Sequence, residues 1–498
     1  MHGMVRTSLL LPVAAKAWTS MLMLAAVPVY VRFLGVDAFG VVGLFTTAAA
    51  VLAVFDLGMP AWLTREFAGS PAPAERRRLS SLAHSMDWLA VSALLLITLT
   101  GAAFVYYHPP VMQEKTQIAA MVLGVVALGV QWPGNLYAAM LAGQQRHATA
   151  ALIAAACSTV RVALTLGGLW ISPSLLTFFS AQAVMSAVQT LALRWQATRP
   201  ILLPGPRTRP NIGWLAQARG FAPAMTLMGV LSLVLSQADK VLVGQWLSLA
   251  EFGVYMIGWT VAGGLSALTV APMSSIALAW LSAGPTRRNE DATWQVYQQL
   301  TAWMVALLVP PTVVLSLMPE MALILWGIPG DIASQVARLL PWLLAGTALN
   351  GLMTIPYMLQ IAHGWVQLPL KVNLLALCAL LPVLAWATSE HGIEGAAIGW
   401  LVTNGVFVLV WPWLMHRRLL RGFLVRWLIW SVLFPISLST VVVWGLLCLL
   451  PITTQASTGW QVGTILGAWI AGVLTTIQAS PGGIRLLFTS RPVPEVHT

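Results

Sequence analysis

Apolar stretches of about 20 residues alternate with short polar connections along almost the whole chain. The apolar runs lack the period-2 alternation of barrel strands, so they predict helices that cross a bilayer. About fourteen such stretches can be marked, with cores at 11–33, 39–62, 82–106, 117–141, 148–170, 175–197, 220–243, 252–282, 295–318, 332–361, 368–388, 395–415, 427–450 and 461–480. The expected fold is therefore an all-α polytopic membrane protein. No connection is long enough for a soluble domain. The widest is rich in Pro and Arg, TRPILLPGPRTRPNIG, and follows the sixth stretch. It divides the chain into a six-helix lobe (1–197), a linker (198–214), a second six-helix lobe (215–416), and two additional helices with a tail (417–498).

A repeat supports this division. FLGVDAFGVVGLF, starting at Phe33, aligns without gaps with WLSLAEFGVYMIG, starting at Trp246, 213 residues later. Phe39-Gly40-Val41 falls on Phe252-Gly253-Val254. Each copy lies between the first and second stretch of its lobe. The acidic residues Asp37 and Glu251 fall at a helix start, where the positive end of the helix dipole favours them. Two lobes related by an internal repeat predict a pseudo-twofold transporter with a pathway between them and alternating access.

Composition sharpens the picture. Of 498 residues, 58% are hydrophobic and 8% charged, with mean hydropathy +0.81; a soluble domain carries about 25% charged residues. The net charge of +11 does not imply nucleic acid, because the basic residues fall in alternate short loops and the motifs of nucleic-acid binders are missing. Arg65, Arg76, Arg77, Arg78, Arg146, Arg194, Arg199, Arg207, Arg209, Arg287, Arg288, Arg417, Arg418, Arg421, Arg426, Arg485 and Arg491 all belong to one set of loops; the other set holds one basic residue, Lys115. That asymmetry predicts a multi-pass membrane protein with both termini cytoplasmic. Cys157, Cys378 and Cys448 lie inside apolar segments without metal-ligand spacing, so neither a disulfide nor a metal is expected. No nucleophile–base set and no glycine-rich phosphate loop is present, so no enzyme and no bound cofactor are expected.

Ionisable residues inside a span cost several kcal/mol unless they meet a partner or a wet cavity, and each is a functional candidate. Arg161 is the deepest, about 20 Å along its helix from the inner end. It either faces a cavity or is tied to helix carbonyls or a carboxylate. Lys16 and Arg32 lie toward opposite ends of the first stretch and either line a cavity or reach out to the interface. Asp56 stands to pair with Lys16 or Arg65, or to titrate. Asp87 is expected at the interface. Asp239 and Lys240 are adjacent, so on a helix they point about 100° apart and have either separate jobs or separate partners, or else form an interfacial pair at the helix end.

The motifs Arg32-Phe33-Leu34-Gly35, Asp37, Phe39-Gly40, Asp56-Leu57-Gly58 and Arg65, followed by Gln237, Asp239-Lys240, Gly244, Glu251 and Phe252-Gly253, resemble those of polysaccharide flippases (Wzx type) of the multidrug/oligosaccharidyl-lipid/polysaccharide exporter superfamily. Residues 359–400 resemble the family's eleventh and twelfth helices. Ser248 departs from the pattern where the first copy has Gly35. The resemblance implies movement of undecaprenyl-pyrophosphate-linked oligosaccharide, for O-antigen, capsule or exopolysaccharide, from the cytoplasmic to the outer leaflet. It implies H+ or Na+ as coupling ion, and polymerase and chain-length proteins as partners. Arg161, Lys16, Arg32 and Lys240 then become candidates for a cationic substrate site. Asp239, Asp56 and Arg65 become candidates for ion coupling or gating. The alternatives are a peptidoglycan-precursor flippase, a drug exporter, and a membrane-embedded polymerase or ligase.

Overall fold

The computed structural model of the chain describes residues 2–56, 58–68, 73–107, 115–199, 222–284, 289–365, 367–450 and 457–480. The linker expected at 198–214 lies outside them from residue 200 on, as do Arg207, Arg209, Arg287, Arg288, Arg485 and Arg491. Among the described residues all regular structure is helical. The helices are α1 His2–Leu34, α2 Val36–Leu52, α3 Met59–Glu66, α4 Pro73–Tyr107, α5 Lys115–Gly143, α6 His147–Ile171, α7 Leu175–Thr198, α8 Ala222–Trp246, α9 Leu249–Leu281, α10 Glu290–Leu317, α11 Pro319–Trp326, α12 Gly330–Leu352, α13 Thr354–Ala362, α14 Gln367–Leu419, α15 Leu424–Leu449 and α16 Thr458–Ala479.

Helix is found in the described part of each marked stretch, and eleven described helical spans are long and apolar enough to cross a membrane. The two numbers differ for local reasons. The second stretch is broken at Gly58, in the left-handed region at φ 72°, into α2, a 3-10 turn (Ala53–Asp56) and α3. The eleventh and twelfth stretches run on as α14, interrupted at Gly392, whose φ of 58° is not helical. The seventh stretch, α8, is not among the eleven.

The chain divides into two compact units, Met1–Ala238 and Asp239–Thr498. In lipid there is little hydrophobic drive between helices, so close backbone approach and polar ties carry the packing. In the first unit α3 docks on α5. A Cβ on Gly143 would sit 2.6 Å from the Thr64 carbonyl oxygen, and the Thr64 hydroxyl donates to the Ala139 carbonyl at 3.2 Å. Trp62, Leu63, Met86, Leu136 and Met140 fill the space between α3, α4 and α5. Arg146 closes α6 onto α7, donating to the backbone and side-chain oxygens of Gln196 at 2.8 and 2.7 Å. In the second unit Gly258 lets α9 approach α12, where a Cβ would meet Leu339 at 2.6 Å. Around α10, Tyr297, Met304 and Leu308 pack with Trp427, whose indole donates to Thr301 at 3.1 Å. Trp427 opens a π-helical stretch, Trp427–Leu433, within α15.

The two copies of the repeat bury the same positions: Phe39, Gly40 and Val41 in α2, and Phe252, Gly253 and Val254 in α9. Their helix entries differ. Gly35 precedes α2 with φ 81° and ψ 169°, a conformation essentially confined to glycine. Ser248 precedes α9 with ordinary extended backbone and forms a reciprocal cap: its hydroxyl accepts from the Glu251 amide, and the Glu251 carboxylate accepts from the Ser248 amide at 3.0 Å.

Candidate functional site

The second unit holds a closed polar cluster at the start of its first helices. Asp239 and Lys240, near the end of α8, are 2% and 8% exposed. Tyr255 and Trp259 are one helical turn apart on α9 and present one face to them. The Lys240 ammonium lies 3.3 Å from Asp239 Oδ1 and 3.5 Å from the centre of the Trp259 ring. The Tyr255 hydroxyl donates to Asp239 Oδ2 at 2.7 Å. The neighbours do have separate partners, Tyr255 for Asp239 and Trp259 for Lys240, but they also pair with each other. Their Cβ atoms do diverge, but the four-carbon lysine stem folds back across the helix surface. The Trp259 face holds the ammonium there, within reach of the neighbouring carboxylate.

The cluster is backed by a second aromatic layer. Trp259 meets Trp400 of α14 edge-on at 5.0 Å. Trp400 donates to Thr347 of α12 at 3.3 Å, and its ring occupies space that a Cβ on Gly346 would invade at 2.4 Å. Asn350 and Asn404 join the same two helices through a 2.9 Å amide bond. Lys240 is thus fixed by an acid, a π face and the helices behind them.

Arg161, in α6 of the first unit, is as buried as Lys240, at 8% exposure. One guanidinium NH2 donates to Gln189 Oε1 of α7 at 2.8 Å. Its Nε is buried without an acceptor. Among the described residues no carboxylate pairs with it. Tyr30 of α1 and Cys157, one turn back on α6, are the ionisable groups in electrostatic reach. Tyr30 is held by an edge-on contact with Phe178 at 5.3 Å. A full positive charge therefore sits among α1, α6 and α7 with a single neutral amide oxygen as partner. Five N–H donors in a planar fork suit bidentate binding of phosphate or carboxylate.

The other candidates fall elsewhere. Lys16, Arg32 and Arg65 are exposed, and no ion pair joins any of them to another described residue. Asp56 does not pair with Lys16 or Arg65. The 3-10 turn after α2 points it at α5, where Asn135 donates to Oδ2 at 3.3 Å while Oδ1 is buried unpartnered. Asp87 is half-buried and fully engaged. Arg194 of α7 grips it in a fork of two 2.8 Å bonds, and Tyr137 of α5 donates at 2.7 Å. Sequence reading missed Gln189, Tyr255 and Trp259. The last two stand at helical spacing just after the repeated Phe-Gly pair, and Gln189 is a polar residue deep in an apolar run. Those were the available signals.

The family of polysaccharide biosynthesis proteins matches residues 29–327. No curated protein sequence matches the chain. Among solved structures, the lipid II flippase MurJ in an inward closed conformation shares the fold over 97% of this chain and 99% of its own, at 11% identity and a TM-score of 0.66. An inward-facing multidrug resistance MATE transporter of the MOP superfamily covers 82% of this chain and 96% of its own, at 12% identity and a TM-score of 0.65. A MOP-superfamily transporter from Pyrococcus furiosus, described as having a binding pocket of reversed polarity, covers 83% and 96%, at 13% identity and a TM-score of 0.52.

Proposed function

From the premise that the chain belongs to the polysaccharide biosynthesis protein family, we propose that it moves undecaprenyl-pyrophosphate-linked oligosaccharide from the cytoplasmic to the outer leaflet of the bacterial inner membrane. The MurJ- and MATE-like fold supports a carrier working by alternating access, and the motifs shared with polysaccharide flippases support the lipid-linked glycan as cargo. In this reading the protein makes and breaks no covalent bond. The energy comes from an H+ or Na+ gradient, and the polymerase and chain-length proteins of the pathway act on the delivered product.

The observation that carries the proposal is Arg161. A buried cation held by one amide oxygen is left short of negative charge. Removing a charge from water without a partner costs several kcal/mol, so such a group persists where something supplies the missing partner. The diphosphate of the lipid carrier, or an acidic sugar next to it, has the charge and the acceptor geometry to do so. A cationic drug would be repelled. MurJ's lipid II shares the diphosphate–lipid–sugar plan, so a peptidoglycan precursor is the second reading, favoured by the near-complete overlap of the two chains.

The test is transport by the purified protein in liposomes, following the accessibility of a lipid-linked oligosaccharide in each leaflet. Acceleration over protein-free vesicles, lost in Arg161→Ala, is expected. No acceleration with or without H+ and Na+ gradients overturns the proposal. Faster movement of a peptidoglycan precursor than of lipid-linked oligosaccharide selects the second reading.

A further inference from the structure

At the basic end of α14 the chain makes a pocket that the transport reading does not use. Helix α14 ends at Leu419, and Gly422, at φ 83° in the left-handed region, turns the chain into α15. The turn borders an open pocket of about 290 Å³ lined by Trp413, His416, Arg417, Arg421, Gly422 and Leu424. That is at the lower end of ligand-sized cavities, roughly 300 Å³.

Its chemistry is one-sided. Arg417 sits in the last turn of α14 and Arg421 in the turn that follows it, and both line the pocket. Neither has a carboxylate partner among the described residues. Both are held in place: the Arg417 guanidinium lies 3.7 Å above the Trp413 ring, and Arg421 Nε donates to the Arg417 carbonyl at 3.2 Å. His416 forms the inner wall, anchored through Nδ1 to the Pro412 carbonyl at 2.7 Å and stacked among Tyr297 and Trp427. Further along α15, which starts at the pocket residue Leu424, Ile429, Trp430 and Leu433 are 43%, 53% and 49% exposed. Two guanidiniums without a carboxylate partner among the described residues, at the start of a helix with an exposed aliphatic and aromatic strip, match a ligand with a phosphate at one end and hydrocarbon at the other.

We propose that this pocket is a binding site for the phosphate of an anionic phospholipid, with the acyl chains lying along α15. Basic pockets at helix ends, with aromatic side chains at headgroup level, recognise such headgroups by charge and forked hydrogen bonding.

The experiment uses the full chain in detergent. Native mass spectrometry and the thermal midpoint are followed while phosphatidylglycerol, phosphatidylcholine or inorganic phosphate is added. Retained phosphatidylglycerol adducts and a higher midpoint are expected, with little response to phosphatidylcholine. Arg417→Gln combined with Arg421→Gln should raise the phosphatidylglycerol concentration for half-maximal effect on the order of tenfold. Both arginines are exposed, so the double variant should keep the parent's lipid-free midpoint. Arg199→Gln is the control, because Arg199 also stacks on a tryptophan, Trp195 at 5.2 Å, but lines no part of this pocket. An unchanged phosphatidylglycerol response in the double variant, or an equal loss in Arg199→Gln, overturns the site. A response to inorganic phosphate equal to that for phosphatidylglycerol, and lost in the double variant, overturns the lipid as its source.

Discussion

Lys240 and Arg161 are both 8% exposed, and the protein surrounds them in opposite ways. Around Lys240 it has built a carboxylate, a tyrosine that orients that carboxylate, and a tryptophan face. Around Arg161 it has placed one glutamine. Burial alone does not mark a cation as functional. The useful question is how much of its hydrogen-bonding and charge is already answered from within. Lys240 is answered and reads as part of the frame of the second unit. Arg161 is not, and reads as a group waiting for an anion.

The sharpest way to break the contrast is to remove the acid from the satisfied cluster. In Asp239→Asn the ammonium of Lys240 loses its counter-charge while staying buried, which should destabilise the fold by about 3–5 kcal/mol. Thermal or denaturant unfolding in detergent reads this directly. The double replacement Asp239→Leu with Lys240→Met should recover most of the loss, because an apolar pair of similar volume carries no desolvation cost. If the single variant unfolds with the parent, the Lys240 charge does not depend on Asp239 and the cluster is not a satisfied pair.

Arg161→Ala should do the reverse. Its one side-chain partner is neutral, so little stability is lost, while a charge-assisted contact to a phosphate, roughly 1.5–3 kcal/mol, disappears. Transport should fall about 10- to 100-fold at nearly unchanged unfolding. Arg161→Lys should restore part of the rate, since it keeps the charge but not the fork. Parallel loss of stability and rate would place Arg161 with Lys240 as a structural cation.

A smaller effect tests the partners themselves. Tyr255→Phe removes one hydrogen bond to a buried carboxylate and should cost about 1.5–3 kcal/mol of stability. Gln189→Leu removes the acceptor of the buried Arg161 guanidinium, likewise a bond to a charged group, and should cost a similar amount, about 1.5–3 kcal/mol, with the arginine freer to meet substrate. Unfolding midpoints of the two variants, measured side by side, check both.

How much of this was legible beforehand follows from which forces act at short range along the chain. The helices were, because a span needs a run of apolar residues whatever packs beside it. Arg161 was, because a charge in such a run is visible without coordinates. Its bond to Gln189 was not: the two are 28 residues apart, and only the pairing of α6 with α7 brings them together. The way Asp239 and Lys240 meet was hidden for a different reason. Helical geometry places the Cβ atoms but not the end of a lysine, and Trp259, which fixes that end, comes from the next helix. Asp56 was read by charge when its partner is the neutral Asn135, 79 residues away. Across the repeat, Asp239 and Lys240 fall on Ala26 and Val27, both buried, so the register carries over to the first unit and the chemistry does not.

The repeat offers the finest test of what each unit requires. The two helix entries look interchangeable in the alignment, where Ser248 stands opposite Gly35. The structure says they are not. At Gly35 the backbone lies at φ 81° and ψ 169°, and beyond its two chain neighbours no atom lies within 4 Å of where a Cβ would stand. Any cost of Gly35→Ser is therefore conformational, about 1–3 kcal/mol. At Ser248 the backbone suits any residue and only the cap is at stake. Ser248→Gly should cost a few tenths of a kcal/mol, because glycine is itself an acceptable residue before a helix. Exchanging the two should thus hurt the first unit and hardly touch the second. Unfolding of the two single variants in the same detergent checks the asymmetry, and equal losses would mean that α2 can be entered through ordinary backbone as α9 is.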